Sequence, residues 1–322
     1  MKAFMTLVLT LAIVTGMIGC TNTGNTGASS APTTSAAASP ATSPAASPAA
    51  SEPQPVSELE EELKDTASDV ASTVKPAMST DFDKIGAHSA NQVKWGPGVR
   101  RDPDTNRTKD AEGLQDTYGT YGAYFIAPKD CGKFYLTFDE GYENGYTPQI
   151  LDTLKEKGVS AVFFVTLPFV KSQPELVQRM IDEGHIVGNH TNHHWNPTQK
   201  TLAEAKSDIS DLHDYMLEHF DYEMHLYRPP EGAFSEQTLA MVQQMGYTTV
   251  LWSFAYTDWD PNNQIGEEKA LDRTTQFIHE GAIYLLHAVS SDNAAILGQL
   301  IDQVRDKGLE ISKFDLPYIP AE

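Results

Sequence analysis

The sequence predicts an α/β fold of the barrel class, and three observations carry that expectation. From Lys133 onward, short β-prone runs alternate with longer amphipathic ones. The longer runs carry helix start and stop signals, and the short runs repeatedly end on titratable or cationic residues. The strand-like runs are KFYLTF, SAVFFV, HIVGN, HLYRP, YTTVLW, AIYLLH and LEISK. In the first helical stretch Thr147 is a candidate cap and Pro148 takes the first helical position. Ile150, Leu151 and Leu154 then share a face, and Gly158 ends the helix. Further helices are expected over about 174–183, 201–219, 235–245, 267–279 and 292–307. Six helices separating seven strands imply a parallel sheet, and that many units commonly close into a barrel.

The N-terminal part reads differently. Residues 1–20, MKAFMTLVLTLAIVTGMIGC, have an early Lys, an apolar run and small residues before a cysteine, which is a signal-peptide pattern rather than a spanning helix. The ending MIGC resembles a bacterial lipobox, which makes Cys20 the expected lipidation site and places the chain outside the cell, anchored to the membrane and facing the wall. Residues 21–57 are almost entirely Ser, Thr, Ala, Pro and Gly and predict a disordered tether, because such a segment buries too little apolar surface to offset its ordering entropy. Residues 58–130 form an N-terminal lead-in with a candidate amphipathic helix at 58–75; residues 131–316 are the catalytic-sized domain, and 317–322 a tail.

Composition narrows the partners. Acidic residues outnumber basic ones by 44 to 23, for a net charge of −21, which argues against nucleic acid because phosphate binding needs a basic face. Beyond Cys20 only Cys131 remains, so a disulfide framework is excluded. No protein partner is evident from the sequence.

In a parallel α/β barrel the reactive groups gather at the carboxyl ends of the strands. There the chain places Asp139 and Glu140, His190, Arg228, Asp258 with Trp259, and His287. Each has an ordinary reading: a solvated turn for the paired acids, a loop pin for Arg228, a satisfied core histidine for His287, packing for Asp258 and Trp259. His190 and His194, at i and i+4, fall on one side of a turn or helix as metal ligands require, yet alone would pass as a polar loop. Together, two histidines and a carboxylate form a metal site with open positions, and a further acid, a histidine and an arginine remain for proton traffic.

The set resembles the polysaccharide deacetylases, carbohydrate esterase family four, over about 133–314, with the motifs in the same order. The motifs are Thr137-Phe138-Asp139-Glu140-Gly141, His190-Thr191-Asn192-His193-His194, Arg228-Pro229-Pro230, Asp258-Trp259 and Leu285-Leu286-His287. TFDEGYENGYTP, DEGHIVGNHTNHH, RPPEGAFSE and GAIYLLHAVSSDNA are most similar to the delta-lactam-biosynthetic de-N-acetylases. The resemblance implies a distorted (β/α) barrel that hydrolyses N-acetyl groups of N-acetylmuramic acid in peptidoglycan, leading to muramic δ-lactam during sporulation. It implies a divalent metal, zinc as first choice, on His190, His194 and Glu140, and Asp139 as general base. His287 is the acid, oriented by Asp258, and Arg228 holds Asp139. A backbone N–H near Glu231 meets the oxyanion, and Tyr146, Pro230, Glu231, Trp259 and Leu285 are the expected substrate contacts. Glu140 departs from the family's usual Asp by one methylene, and Trp195 stands where Pro is usual. Two other readings stay open: a deacetylase of chitin-like or xylan-type polysaccharide, and a catalytically silent glycan-binding lipoprotein.

Overall fold

The computed structural model describes residues 80–96 and 100–321. Cys20, the expected tether at 21–57 and the candidate helix at 58–75 therefore lie outside the described residues.

The sheet is built around β3 (Lys133–Glu140), which pairs in parallel with β4 (Val162–Val165) on one side and β9 (Ala282–His287) on the other. β4 continues to β5 (Ile186–Asn189), β6 (Leu226–Tyr227) and β8 (Thr248–Val250), while β10 (Glu310–Ile311) pairs with the start of β3. All seven expected strands are present. An eighth parallel strand, β2 (Ala123–Tyr124), pairs with β8 and brings the lead-in into the same sheet. A parallel bridge between Phe254 and Tyr284 links the segment after β8 to β9, so the sheet curls toward closure.

Helices cover the outside for local reasons. α3 (Thr147–Lys157) ends on Gly158 in the left-handed region (φ 61). Its cap is Tyr146, without a side-chain bond, so Thr147 is the first helical residue rather than the cap, and its hydroxyl is turned to Glu140 instead. α6 (Leu202–Phe220) opens with a capping box between Thr201 and Glu204, and α7 (Glu236–Gln244) with one between Ser235 and Thr238. α9 (Ser291–Asp306) is capped by Ser290.

Strand alternation divides the core in two. On β3, Phe134, Leu136 and Phe138 belong to the large cluster beneath the helices, with Ile150, Leu151 and Leu154 of α3. Tyr135 faces the barrel interior with Val162, Phe164, Val250 and Ile283. Thr137 and Asp139 are in phase with Tyr135, so they point inward. That parity decides where the two adjacent acids go.

Candidate active site

Arg228 follows β6 directly and is fully buried in the barrel interior. Its guanidinium is spread over four acceptors: the carbonyls of Val250 (2.9 Å) and Leu251 (3.1 Å), the Thr137 hydroxyl (2.8 Å) and the Asp139 carboxylate (2.7 Å). The guanidinium carbon also sits 4.1 Å from the centre of the Phe164 ring. A buried guanidinium requires this degree of satisfaction, because an unpaired ion there would be prohibitively costly. Burial alone would raise the Asp139 pKa, but the charges of Arg228, His190 and His287 outweigh it and hold Asp139 below the ordinary carboxylate value. Its second oxygen lies 3.5 Å from His190 Nε2.

His190 and His194 are brought together by a tight loop rather than a helix. Thr191 (φ 73) and His194 (φ 56) both take left-handed backbone conformations, and the Thr191 hydroxyl accepts from the His194 N–H. Strain of this kind persists where the surroundings fix it. Asn189 Oδ1 accepts from the Thr191 N–H, and the Asp208 carboxylate holds the His193 N–H and ring. His193, stacked on Trp195, thus supports the loop from outside. The two Nε2 atoms end 3.1 Å apart. His190 Nδ1 lies 2.9 Å from the Arg228 carbonyl, which can only accept, so Nδ1 carries the proton and Nε2 keeps its lone pair. Burial pushes the His190 pKa down to about 4, which keeps the ring neutral.

Opposite, the buried Asp258 takes the His287 Nδ1–H at 2.7 Å and the His287 backbone N–H at 2.8 Å. Burial would lower the His287 pKa, but Asp258 outweighs it and the pKa is raised. Asn293 donates to Asp258 (2.7 Å) and to the His287 carbonyl (3.1 Å), and its own carbonyl accepts from the Tyr256 hydroxyl (2.5 Å).

These groups open on one cleft of about 560 Å³, within the range of small-ligand sites. Asp139, His190, His194 and His287 line it together with Glu231, Trp259 and Leu285, as expected. Three expectations are not met by the geometry. Glu140 is completely buried on the helix side of β3, its carboxylate 3.4 Å from the Thr147 hydroxyl, because adjacent strand residues face opposite ways. Burial, reinforced by Glu143, raises its pKa well above the ordinary value and favours the neutral form. Tyr146 caps α3 and packs against the core, leaving Tyr142 (51% exposed) on the cleft wall. Pro230 is buried, and Pro229 lines the cleft in its place. Residue types alone also missed Thr137, Asn293, Lys94, Trp95 and Trp252. The tail SSDNA holds Asn293, but nothing in the local pattern around Lys94 marks it.

Among the described residues no three His, Cys, Asp or Glu side chains converge to hold a metal ion. The donor set that does converge is a pair of imidazoles, one with its proton fixed on the far nitrogen by a carbonyl. That arrangement fits a divalent cation with affinity for nitrogen, completed by water or substrate.

Residues 127–250 match the family described as polysaccharide deacetylase. The chain is 41% identical over 224 residues to the peptidoglycan-N-acetylmuramic acid deacetylase PdaA of Bacillus subtilis, covering 69% of this chain and 84% of that protein. The solved structure of Bacillus subtilis PdaA, a family 4 carbohydrate esterase, superposes with a TM-score of 0.65 at 39% identity, over 70% of this chain and 95% of PdaA. A family 4 carbohydrate esterase from Bacillus anthracis superposes with a TM-score of 0.57 at 36% identity, over the same shares of the two chains.

Proposed function

The chain belongs to the polysaccharide deacetylase family, whose deacetylases are metal-dependent hydrolases, and from that premise we propose that it removes the N-acetyl group of N-acetylmuramic acid in peptidoglycan. One observation carries the reading. A buried carboxylate paired with Arg228 and a histidine paired with Asp258 line the same cleft. Acetamide hydrolysis needs that pair, a base for the attacking water and an acid for a nitrogen that leaves only as an amine.

Asp139, with one oxygen committed to Arg228, takes a proton from the attacking water on the other. As the water oxygen bonds to the acetyl carbon, negative charge develops on the carbonyl oxygen, and a backbone N–H near Glu231 is the protein donor assigned to it. His287, with Nδ1 engaged by Asp258, delivers its proton from Nε2 to the sugar nitrogen; the C–N bond breaks, releasing acetate and the free amine. Trp259 and Leu285 supply an apolar wall for the acetyl methyl. A divalent cation, zinc as first choice, would be held by His190 and His194, where it supplies Lewis-acid polarisation of the carbonyl and acidifies water. The same reading takes the product toward muramic δ-lactam in sporulation, and takes Cys20 as a lipid anchor holding the exported enzyme at the wall-facing side of the membrane.

Acetate release by the purified protein from a glycan containing N-acetylmuramic acid, with mass spectrometry locating the free amine, tests the proposal. Chelation is expected to abolish release and added zinc to restore it. No release with any divalent cation would sink the enzymatic reading.

A further inference from the structure

The wall of the cleft is not built by the barrel alone. Residues 94–96 come from the lead-in and line the cleft. β1 (Val93–Lys94) pairs antiparallel with β7 (Ala233–Phe234), with Val93 opposite Phe234 and Lys94 opposite Ala233. The Trp95 N–H donates to the Gly232 carbonyl at 2.9 Å, and the Trp95 indole N–H to the Trp252 carbonyl at 2.8 Å. Trp252 returns an indole bond of 3.3 Å to the Gly96 carbonyl. Each bond lies beside the loop that carries Glu231, so Lys94 is placed by backbone pairing.

Among the side chains lining the cleft, Lys94 is the sole lysine or arginine. Arg228, beneath, is wholly buried and already committed to Asp139. The Lys94 ammonium contacts Glu231 at 2.9 Å, and Glu231 lines the same cleft as His194. Both members of the ion pair are largely solvated, with side chains 59% and 45% exposed, so the pair is weak and the ammonium is exchangeable. A chain of net charge −21 repels an anionic glycan at long range. A cation fixed at the cleft mouth is the feature that offsets this locally. Muramic acid differs from glucosamine by a lactyl ether, which ends in a carboxylate when no peptide is attached.

We propose that Lys94 forms a carboxylate subsite which takes the lactyl carboxylate of a peptide-free muramic sugar; this rests on the reading of the cleft as a muramic acid deacetylase. On binding, the ammonium passes from Glu231 to the substrate carboxylate. The site thereby separates muramic acid from N-acetylglucosamine in the same strand.

The test uses the zinc-loaded full chain and its Lys94→Ala and Lys94→Arg variants on three substrates. These are a peptide-free glycan alternating N-acetylglucosamine and N-acetylmuramic acid, the same glycan with the lactyl carboxylates methyl-esterified, and an N-acetylglucosamine oligomer. Wild type is expected to favour the free acid over the ester. Lys94→Ala should raise KM for the free acid about tenfold with little change in kcat, the signature of a lost binding contact, and should abolish the preference over the ester. Lys94→Arg should restore most of it. Full discrimination by Lys94→Ala, or equal handling of acid and ester by wild type, would overturn the subsite while leaving the deacetylase reading intact. Turnover by wild type confined to N-acetylglucosamine would overturn both.

Discussion

At the residue scale the chemistry depends on two carboxylates that do opposite things with the same charge. Asp139 is kept low in pKa by Arg228 so that it stays a base, and Asp258 keeps His287 high so that it stays an acid. Environments that push two titratable groups apart are what acid–base catalysis needs. The sign of the pH dependence follows. Asp139 lies below its ordinary 3.8, so activity on the acid side falls only as pH drops through that depressed value. His287 lies above its ordinary 6.5, so the proton it donates is lost only as pH rises through that raised value. Replacing Asp258 with Asn removes the group that lifts His287. The basic limb of kcat/KM should then move to lower pH, and the plateau rate should fall roughly 10²-fold or more, the scale of a disabled general acid. A pH–rate profile of wild type and Asp258→Asn checks this. An unmoved basic limb would place the acid elsewhere. Glu140 lies outside this balance. Facing the helices, with burial favouring its neutral form, it behaves as a structural acid beneath Thr147.

At the scale of elements, what positions the site is parity and close approach. On β3 parity sends Thr137 and Asp139 inward to Arg228 and sends Glu140 outward. Close approach operates where the Pro230–Gly232 turn meets β1. Gly232 has φ +63, and a methyl group there would sit 2.7 Å from the Trp95 carbonyl and 2.8 Å from the Trp252 ring. Gly232→Ala must therefore strain the turn and push the β1 segment off the rim. The expected cost is roughly 1–3 kcal/mol, read as a fall in Tm of several degrees, together with weaker substrate binding. Unchanged melting and unchanged KM would show that the rim does not need this contact. The same two factors explain what was legible beforehand. The seven strands and the rim residues Asp139, His190, Arg228, Asp258 and His287 follow from apolar runs that end on reactive residues. Glu140 was misplaced because a motif shows adjacency and only the pleat shows direction. Tyr146 was misplaced because one turn of loop separates it from Tyr142. Lys94 and Trp95 were invisible because their place depends on pairing with residues about 140 positions later.

At the scale of the whole molecule, the proposed lipid anchor bears on how the catalytic unit would reach a wall polymer. Among the described residues no helix is long and apolar enough to cross a membrane. The attachment proposed above rests on the N-terminal segment, where MIGC ends an apolar run at Cys20. If residues 21–57 form the tether proposed from their composition, a flexible chain of 37 residues would span on average about 30–35 Å. Fully extended, the same segment reaches on the order of 120 Å. A lipid at Cys20 would thus keep the cleft near the membrane while letting it sample the adjacent glycan. Cys20→Ser should move the protein from the membrane fraction to soluble exported material without changing its kcat on a soluble glycan. Deleting residues 21–57 while keeping Cys20 should do the reverse, leaving it bound to membrane but slower on intact wall. Fractionation and acetate release on soluble and insoluble substrates read both outcomes. If the Cys20→Ser protein remains with the membrane, attachment does not run through that cysteine. If wild type is itself recovered soluble, the molecule works untethered, and reach ceases to explain why so long a polar segment precedes the barrel.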